Sequence, residues 1–425
     1  MSAASDDIPT AESLAGVQRR TVWVLSLGQI LGGVAFGATL SLGAVLAADI
    51  SGDDALSGLA AAAVTFGTAV FAVPLAALAR RSGRRWSLTT GMAIALVGVA
   101  LVVTAGATRV FPLLLVAFLL IGAGQTSNLQ SRFAATDLAT DASRGRALSL
   151  VVWATTIGAV LGPNLTGPGE SLGQAIGMPP LTGPYLFTLV AQVLGIVLYL
   201  VALRPDPLLL AQRVVSNASR TQGVDAIVKT DRPITARYAI FAVAAAHGVM
   251  VSVMAMTPVH LLHHGADLTI IGLTLSLHIA GMFAVSPVFG ILSDRIGRIP
   301  TILVGQGFLV AALLTASFGQ ESTAAVTVAL VLLGLGWSAS TVAGSALLTE
   351  ASSENMRTRR QGFSDFLMSI VAAGGAILAG VVLGWIGYGG LALTVGIAVV
   401  AVSALSPLAL RRARSEAATP GAPVD

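Results

Sequence analysis

Hydrophobic positions run along the chain in long blocks, and polar positions collect in the short segments between them. A helix needs about 20 apolar residues to cross a hydrocarbon core roughly 30 Å thick. The blocks do not show the shorter alternating pattern of strands in an outer-membrane barrel. The sequence therefore predicts twelve membrane-spanning helices, at residues 22–47, 56–79, 87–106, 111–134, 147–166, 184–203, 237–258, 269–292, 300–318, 324–346, 364–385 and 389–410.

The composition agrees with a protein whose surface faces lipid. Among the 425 residues, 55% are hydrophobic and 10% are charged, whereas soluble domains carry about 25% charged residues. The basic residues lie between the apolar blocks, so we expect a lipid bilayer and no nucleic acid as the partner. Cysteine is absent, which excludes disulfide bonds, thiolate metal sites and cysteine nucleophiles.

The distribution of the arginines predicts the orientation in the membrane. If the N-terminus is cytoplasmic, 23 of the 24 basic residues fall on the inner side and Arg109 alone falls outside. Inner loops carry the excess of positive charge in membrane proteins. We therefore expect both termini in the cytoplasm, and the bias towards arginine and alanine favours the plasma (inner) membrane of a bacterium.

The chain is internally duplicated. LLIGAGQ in the first half resembles LLGLGW in the second, which places Gly122 against Gly334, and duplicated six-span units are one of the repeat plans of secondary transporters. We expect an all-α membrane protein with twelve transmembrane helices in two pseudo-symmetric six-helix bundles. Its expected parts are a cytoplasmic tail at 1–21, an N-terminal bundle at 22–203, a cytoplasmic linker with an amphipathic helix at 204–236, a C-terminal bundle at 237–410 and a cytoplasmic tail at 411–425.

A compact motif of glycines and charged residues lies between predicted spans eight and nine. It reads Gly290-x-Leu292-x-Asp294-Arg295-x-Gly297-Arg298. The motif resembles the G-x-L-x-D-R-x-G-R loop of the major facilitator superfamily, and the resemblance covers essentially the whole chain. The counterpart between spans two and three keeps Arg81, Gly83 and Arg84, but Ala76 replaces the first glycine and Arg80 replaces the acid.

A second motif lies in span five. Gly158-x-x-x-Gly162-Pro163 is similar to the G-x-x-x-G-P-x-x-G-G signature of the exporters in that superfamily, although Thr166 replaces one glycine. The chain therefore most resembles exporters of the drug/proton antiporter type. The resemblance implies two halves that rock against each other around a central site.

In such a fold the charged motif would be a gating latch. Asp294 would face the positive N-terminal end of the fifth helix near Ala147, Arg295 or Arg298 would pair with Glu350, and the repeat would pair Asp137 with Arg81 or Arg84. The alternative is that the arginines only enforce the topology. The candidate latch residues are Gly290, Asp294, Arg295, Gly297, Arg298 and Glu350, with Arg81, Gly83, Arg84 and Asp137 in the first half.

The resemblance also implies that spans one, four, seven and ten line a central cavity. Arg132 in span four would attract an anionic substrate, or its side chain would extend to the inner interface. The candidate cavity residues are Gln29, Gln125, Asn128, Arg132, His247, Trp337 and Ser338.

Proton coupling needs a titratable group within the membrane. We find no carboxylate deep inside the predicted spans, whereas His247 and His278 both lie near the midplane. Either histidine could bind and release a proton, or each could be a neutral side chain that hydrogen-bonds within the helix packing.

Three histidines follow span seven at His260, His263 and His264, with Asp267 close behind. Their spacing resembles that of metal ligands, but a polar loop edge is the commoner meaning of such a cluster, and we predict no metal and no cofactor.

These patterns together predict a secondary active transporter rather than an enzyme. No segment between spans is long enough for a catalytic domain, and a nucleotide-binding glycine loop is absent. We expect proton-coupled export of small amphipathic molecules by a monomer. The alternative is a proton-coupled symporter that imports a nutrient or an organic anion.

Overall fold

A computed structural model describes residues 11–53, 56, 58–222, 231–266 and 268–418. The regular elements of this part of the chain are α-helices. They are α1 (Ala11–Ser51), α2 (Gly58–Ser82), α3 (Arg84–Thr108), α4 (Phe111–Ala134), α5 (Arg144–Asn164), α6 (Thr166–Ala175), α7 (Tyr185–Ala202), α8 (Pro207–Gln222), α9 (Pro233–His263), α10 (Leu268–Phe283), α11 (Ser286–Ile296), α12 (Arg298–Phe318), α13 (Thr323–Ala351) and α14 (Glu354–Ala418).

Many of these helices are long enough to cross a membrane. Among the described residues, nine helical stretches have the length and apolar composition of a span, and the longest, Glu354–Arg411, has 58 residues. Gly387 interrupts α14 with a φ of 71°, between the predicted spans 364–385 and 389–410. The described part of the chain is therefore all-helical as expected, while the count of twelve spans stays a prediction.

One helix bound differs from that predicted by hydropathy. α1 begins at Ala11, so part of the expected tail 1–21 is helical, and residues 1–10 lie outside the described part. Hydropathy does not register this extension, because it detects only the apolar run of the span. α8 lies in the first half of the expected linker 204–236, where the sequence predicts an amphipathic helix, and it buries Leu208.

Glycine breaks the chain at matching places in the two halves. Gly83 separates α2 from α3 with a φ of 89°, and Gly297 separates α11 from α12 with a φ of 98°. Residues with a Cβ atom rarely adopt this conformation, so glycine is required at both turns. The repeated motif therefore makes the same turn twice.

The helices pack in two groups, α1–α7 and α9–α14. Each group has buried apolar clusters of its own, for example around Phe118 in the first and Leu330 in the second. The groups meet where α2 contacts α14 and where α5 contacts α10 and α11. Large apolar side chains such as Phe318 and Trp385 are more than 80% exposed, and such a surface suits contact with lipid rather than water.

Candidate functional site

Asp294 joins the two helix groups at the end of the molecule where most arginines lie, here named the arginine-rich end. Its two carboxylate oxygens each accept a hydrogen bond of 2.9 Å, one from the Gly145 amide and the other from the Arg146 amide. These amides belong to the first turn of α5, whose N–H groups have no partner within the helix. A carboxylate there also complements the helix dipole.

Arg298 donates hydrogen bonds to several acceptors around the Asp294–α5 contact. Its guanidinium donates to Asp294, to the Asp141 carbonyl and to the Glu350 carboxylate, the last at 3.2 Å. Arg295 is exposed instead. Of the two arginines considered for Glu350, the structure therefore brings Arg298 to it.

Gly290 makes the close approach of α11 to α5 possible. A Cβ atom added at this position would lie 2.1 Å from Ser149 Oγ and 2.6 Å from the Gly145 carbonyl oxygen. The helix backbones thus touch where a larger residue would hold them apart, as small residues allow at membrane helix interfaces.

Arg84 is the matching cation in the first half. It is fully buried and donates to both carboxylate oxygens of Asp137, at 2.8 and 3.2 Å. The same guanidinium donates to Gln361 Oε1 of α14 at 2.6 Å, so the pair also contacts the second helix group. Arg81 is exposed.

Arg80 stands where the first motif would carry its acid. A carboxylate from elsewhere in the chain, Asp206, caps the start of α3 instead. It accepts a 2.7 Å hydrogen bond from the Arg85 amide at the start of α3. Burial raises the pKa of the Asp206 carboxyl, although backbone hydrogen bonds from Arg85 and Leu209 work against that rise. Asp206 packs so closely on Gly83 that a Cβ atom there would lie 2.3 Å from its Oδ2.

Sequence reasoning missed a buried ion pair between the two groups. Arg132 of α4 donates to Asp365 Oδ1 of α14 at 2.5 Å, and both residues are almost inaccessible. Asp365 lies at the border of its predicted span, so the prediction of no carboxylate deep inside the spans stays a prediction, while the burial of Arg132 argues against the alternative in which its side chain extends to the interface. Asp365 escaped notice because it is the second residue of the predicted span 364–385, where an acid normally marks the helix border.

Apart from Arg132, the candidate cavity residues of the first half carry side-chain amides. Gln29 donates to Thr155 at 3.1 Å, while Asn128 Oδ1 and Gln192 Oε1 are buried without a hydrogen-bond partner. Gln125, Asn128 and Gln192 line a cavity of about 10 Å³ between α1, α3, α4 and α7, which is room for about one water molecule. Gln192 was not among the residues expected from the sequence.

The candidate residues of the second half are largely aromatic. Trp337 donates from Nε1 to His247 Nδ1 at 2.8 Å and meets the ring of Phe283 edge-on at 5.5 Å. Ser338 is buried, and its hydroxyl has no partner. His278 bonds a different partner: its Nδ1 lies 2.7 Å from the Leu330 carbonyl, and its Nε2 has no hydrogen-bond partner.

The glycine motif of span five lies in α5. Gly158 packs on Gly33 of α1, where an added Cβ atom would lie 2.6 Å from the Gly33 Cα. Gly162 is buried, and Pro163 follows it in the last turn of the helix. The part of the motif that the structure describes therefore packs α5 against α1.

The histidines after span seven make contacts of another kind. His260 stacks on Tyr388 with 4.2 Å between the ring centroids, and its Nε2 lies 2.8 Å from the Gln320 carbonyl. His264 Nδ1 bonds the His260 carbonyl, and Asp267 lies outside the described residues. Within the described ranges no three histidine or acidic side chains are arranged to hold a metal.

Asp231 connects the end of the linker to the start of α14. Its carboxylate accepts two 2.7 Å hydrogen bonds from Arg360 and one of 2.9 Å from the Ser353 amide. Partial burial raises the pKa of the Asp231 carboxyl, but these hydrogen bonds and the Arg360 charge outweigh that effect and hold it below its ordinary value.

Replacing Asp231 with asparagine should therefore lower stability in a pH-dependent way. Because the native-state pKa is depressed, the carboxylate contributes fully above the ordinary aspartate pKa of about 3.9 and loses its contribution as the pH falls through the native value. We expect a loss of about 1 kcal/mol at pH 7, measured by thermal unfolding, which disappears in strong acid. Arg359→Gln, an exposed neighbour, is the control, and an equal loss at every pH would contradict the assignment.

Comparison with known proteins agrees with this architecture. The chain matches the Major Facilitator Superfamily over residues 25–268 and 238–424. It is 36% identical over 381 residues to the uncharacterised MFS-type transporter YddS of Bacillus subtilis, covering 88% of this chain and 87% of that protein. It is 30% identical over 385 residues to the riboflavin transporter RfnT of Brucella anthropi, covering 86% of this chain and 90% of that one.

Solved structures share the fold at lower identity. The human organic anion transporter MFSD10 superposes with a TM-score of 0.74 at 18% identity, over 92% of this chain and 99% of that one. FucP in its outward conformation gives 0.66 at 15% identity, over 91% and 98%. The relatives are named as transporters, and the helices of this chain suit an integral multi-pass membrane protein. The chain therefore belongs to the Major Facilitator Superfamily.

Proposed function

We propose that the chain exports small amphipathic molecules by alternating access, in exchange for protons. The observation that carries the proposal is the closed arginine-rich end, where Asp294 holds the start of α5 across the two helix groups. Contacts of this kind can break and re-form as rigid bundles rock around a shared site. The glycine motif at Gly158 favours the antiporter-type exporters among the members of the family.

The proposed topology follows from the same charges. With the arginine-rich end in the cytoplasm, as the positive-inside rule favours, residues 22–203 and 237–410 form the two moving bundles. Residues 204–236 then connect them on the cytoplasmic side of a bacterial inner membrane. The described state is, in this orientation, closed towards the cytoplasm.

The proposed cargo follows from the chemistry of the candidate cavity. The first half supplies amide groups at Gln29, Gln125 and Asn128, and the second supplies the ring of Trp337. The charge of Arg132 is compensated by Asp365, so it is not available to select an anion. A compound with a flat apolar body and a few hydrogen-bonding groups suits these surfaces better than an ion.

Import is the second candidate, because the relative from Brucella anthropi is named a riboflavin transporter. One relative in fold is a fucose:proton symporter. Import of a nutrient or an organic anion by symport would use the same rocking motion and the same closed end. It would differ in the direction in which a proton gradient drives the cargo.

Transport into everted and right-side-out membrane vesicles separates the two candidates. The probes are ethidium, as an amphipathic compound, and radiolabelled riboflavin, with and without an imposed pH gradient. Export predicts that an acidic interior drives ethidium into everted vesicles, and that the gain disappears with a protonophore. Accumulation of riboflavin in right-side-out vesicles, driven by external acid, would establish import and overturn export. Vesicles that lack the protein give the background.

A further inference from the structure

The buried pair Arg132–Asp365 joins one helix of each group. Arg132 is 2% exposed and Asp365 is fully buried. Beside its bond to Asp365, the Arg132 guanidinium contacts only weak partners, the Met368 sulfur at 3.9 Å and the Phe133 ring at 4.9 Å. Asp365 Oδ2 and Arg132 Nε have no hydrogen-bond partner. The charges of this pair are thus stabilised almost entirely by each other.

Such a pair cannot survive the opening of the interface that it spans. α4 and α14 belong to different groups, so rocking that opens the arginine-rich end draws the two side chains apart. A charge left in an apolar environment without its partner is costly. Arginine stays protonated under all relevant conditions, whereas a carboxylate can lose its charge by binding a proton.

Other charged groups near Asp365 do not replace Arg132. Arg84 of α3 faces Asp365, but it is held by Asp137 and by Gln361, one turn before Asp365 in α14. From α9, His247 lies within electrostatic range of Arg132. Two buried arginines and two carboxylates thus balance at this interface. Opening it leaves the Asp365 carboxylate without its partner, because the one side chain that donates to it among the described residues, Arg132, lies in the other group.

We propose that Asp365 is the residue that binds the coupling proton, an inference that rests on the proposed proton-coupled function. A hydronium ion reaching the pair from the cavity gives its proton to the Asp365 carboxylate, an O–H bond forms, and the neutral acid releases Arg132. Asn128, which lines the small cavity of the first helix group, lies one helical turn from Arg132 on the same face of α4. Once the arginine-rich end is open, the proton passes to water there and the re-formed carboxylate recaptures Arg132.

The proposal is tested by the distance between the two groups as a function of pH, which needs no substrate. The chain contains no native cysteine, so spin labels can be attached at Ala142→Cys and Asn355→Cys, both exposed at the arginine-rich end on different groups. In nanodiscs, double electron–electron resonance should show the open population growing as the pH falls. One proton permits a change of at most about tenfold per pH unit.

Asp365→Asn should be largely open at every pH, and Asp365→Glu should restore a pH-dependent population with a different midpoint. The control Asp49→Asn, at an exposed pair with Arg109 at the other end, should follow the unmodified chain. Asp365→Asn with an unchanged pH response would overturn the proposal. If His247→Gln or His278→Gln abolished the response while Asp365→Asn kept it, the proton would belong to that histidine.

Vesicle transport shows whether the Asp365 assignment fails or the proposed proton-coupled export fails. If a pH gradient drives transport in Asp365→Asn as well as in the unmodified chain, Asp365 is not the proton site and the transport function stands. If neither probe responds to a pH gradient but the label distance still titrates through Asp365, the proposed proton-coupled export fails while the proton-binding site stands.

Discussion

Asp294→Asn should open the arginine-rich end and abolish most transport while the protein still inserts and folds. The carboxylate accepts hydrogen bonds from two amides of α5 and from Arg298. Asparagine has only one acceptor oxygen, and its NH2 group would face N–H groups that also donate. Each lost bond to a charged group is worth about 1.5–3 kcal/mol. Since a rocking equilibrium spans only a few kcal/mol, such a loss shifts the populations by more than tenfold.

Two measurements check this expectation. The spin-label pair at positions 142 and 355 should report a mostly open population at neutral pH, and vesicle uptake of the probe that the unmodified protein carries should fall to near background. Asp49→Asn, which removes an exposed carboxylate at the opposite end, should change neither. Gly290→Val tests the same interface sterically, because its side chain would meet the Gly145 carbonyl. Normal transport together with a closed distance in Asp294→Asn would rule out the latch.

Much of this interface could be anticipated from the sequence, because its residues belong to a short motif that occurs in both halves of the chain. The motif places Asp294 beside an arginine at a fixed spacing, and the glycines at 83 and 297 make the same turn in both halves. The duplication then suggests that an acid at the end of span four matches one at the end of span ten. The structure brings Arg84 to Asp137 and Arg298 to Glu350, as that reasoning predicts.

The Arg132–Asp365 pair could not be anticipated in this way. Its members are 233 residues apart and belong to different halves, so neither local spacing nor the repeat relates them. The histidines after span seven show that local spacing can also mislead. Their spacing resembles that of metal ligands, yet in the structure His260 stacks on Tyr388. Which partner a polar side chain meets is decided by tertiary packing, and hydropathy carries no information about it.

Arg84→Gln should cause the largest loss of stability, because it strands a buried carboxylate. Arg84 and Asp137 are both inaccessible in their side chains and form a two-point hydrogen-bonded pair. Removing one member of a buried pair costs about 3–5 kcal/mol, since the remaining charge keeps its desolvation penalty without its partner. Glutamine can donate to one oxygen at most and leaves the charge of Asp137 uncompensated.

Thermal unfolding in detergent, followed by tryptophan fluorescence, measures this effect. Arg80→Gln removes an exposed arginine from the last turn of α2, just before the Gly83 turn, and should cost less than about 1 kcal/mol. The double variant Arg84→Gln/Asp137→Asn should recover part of the loss, because it removes the stranded charge. With the single variant Asp137→Asn it completes a double-mutant cycle, and the change in unfolding free energy of the double variant minus the sum of the two single changes gives the coupling energy. A single variant no less stable than Arg80→Gln would show that solvent reaches Asp137 and that the pair does not support the closed interface.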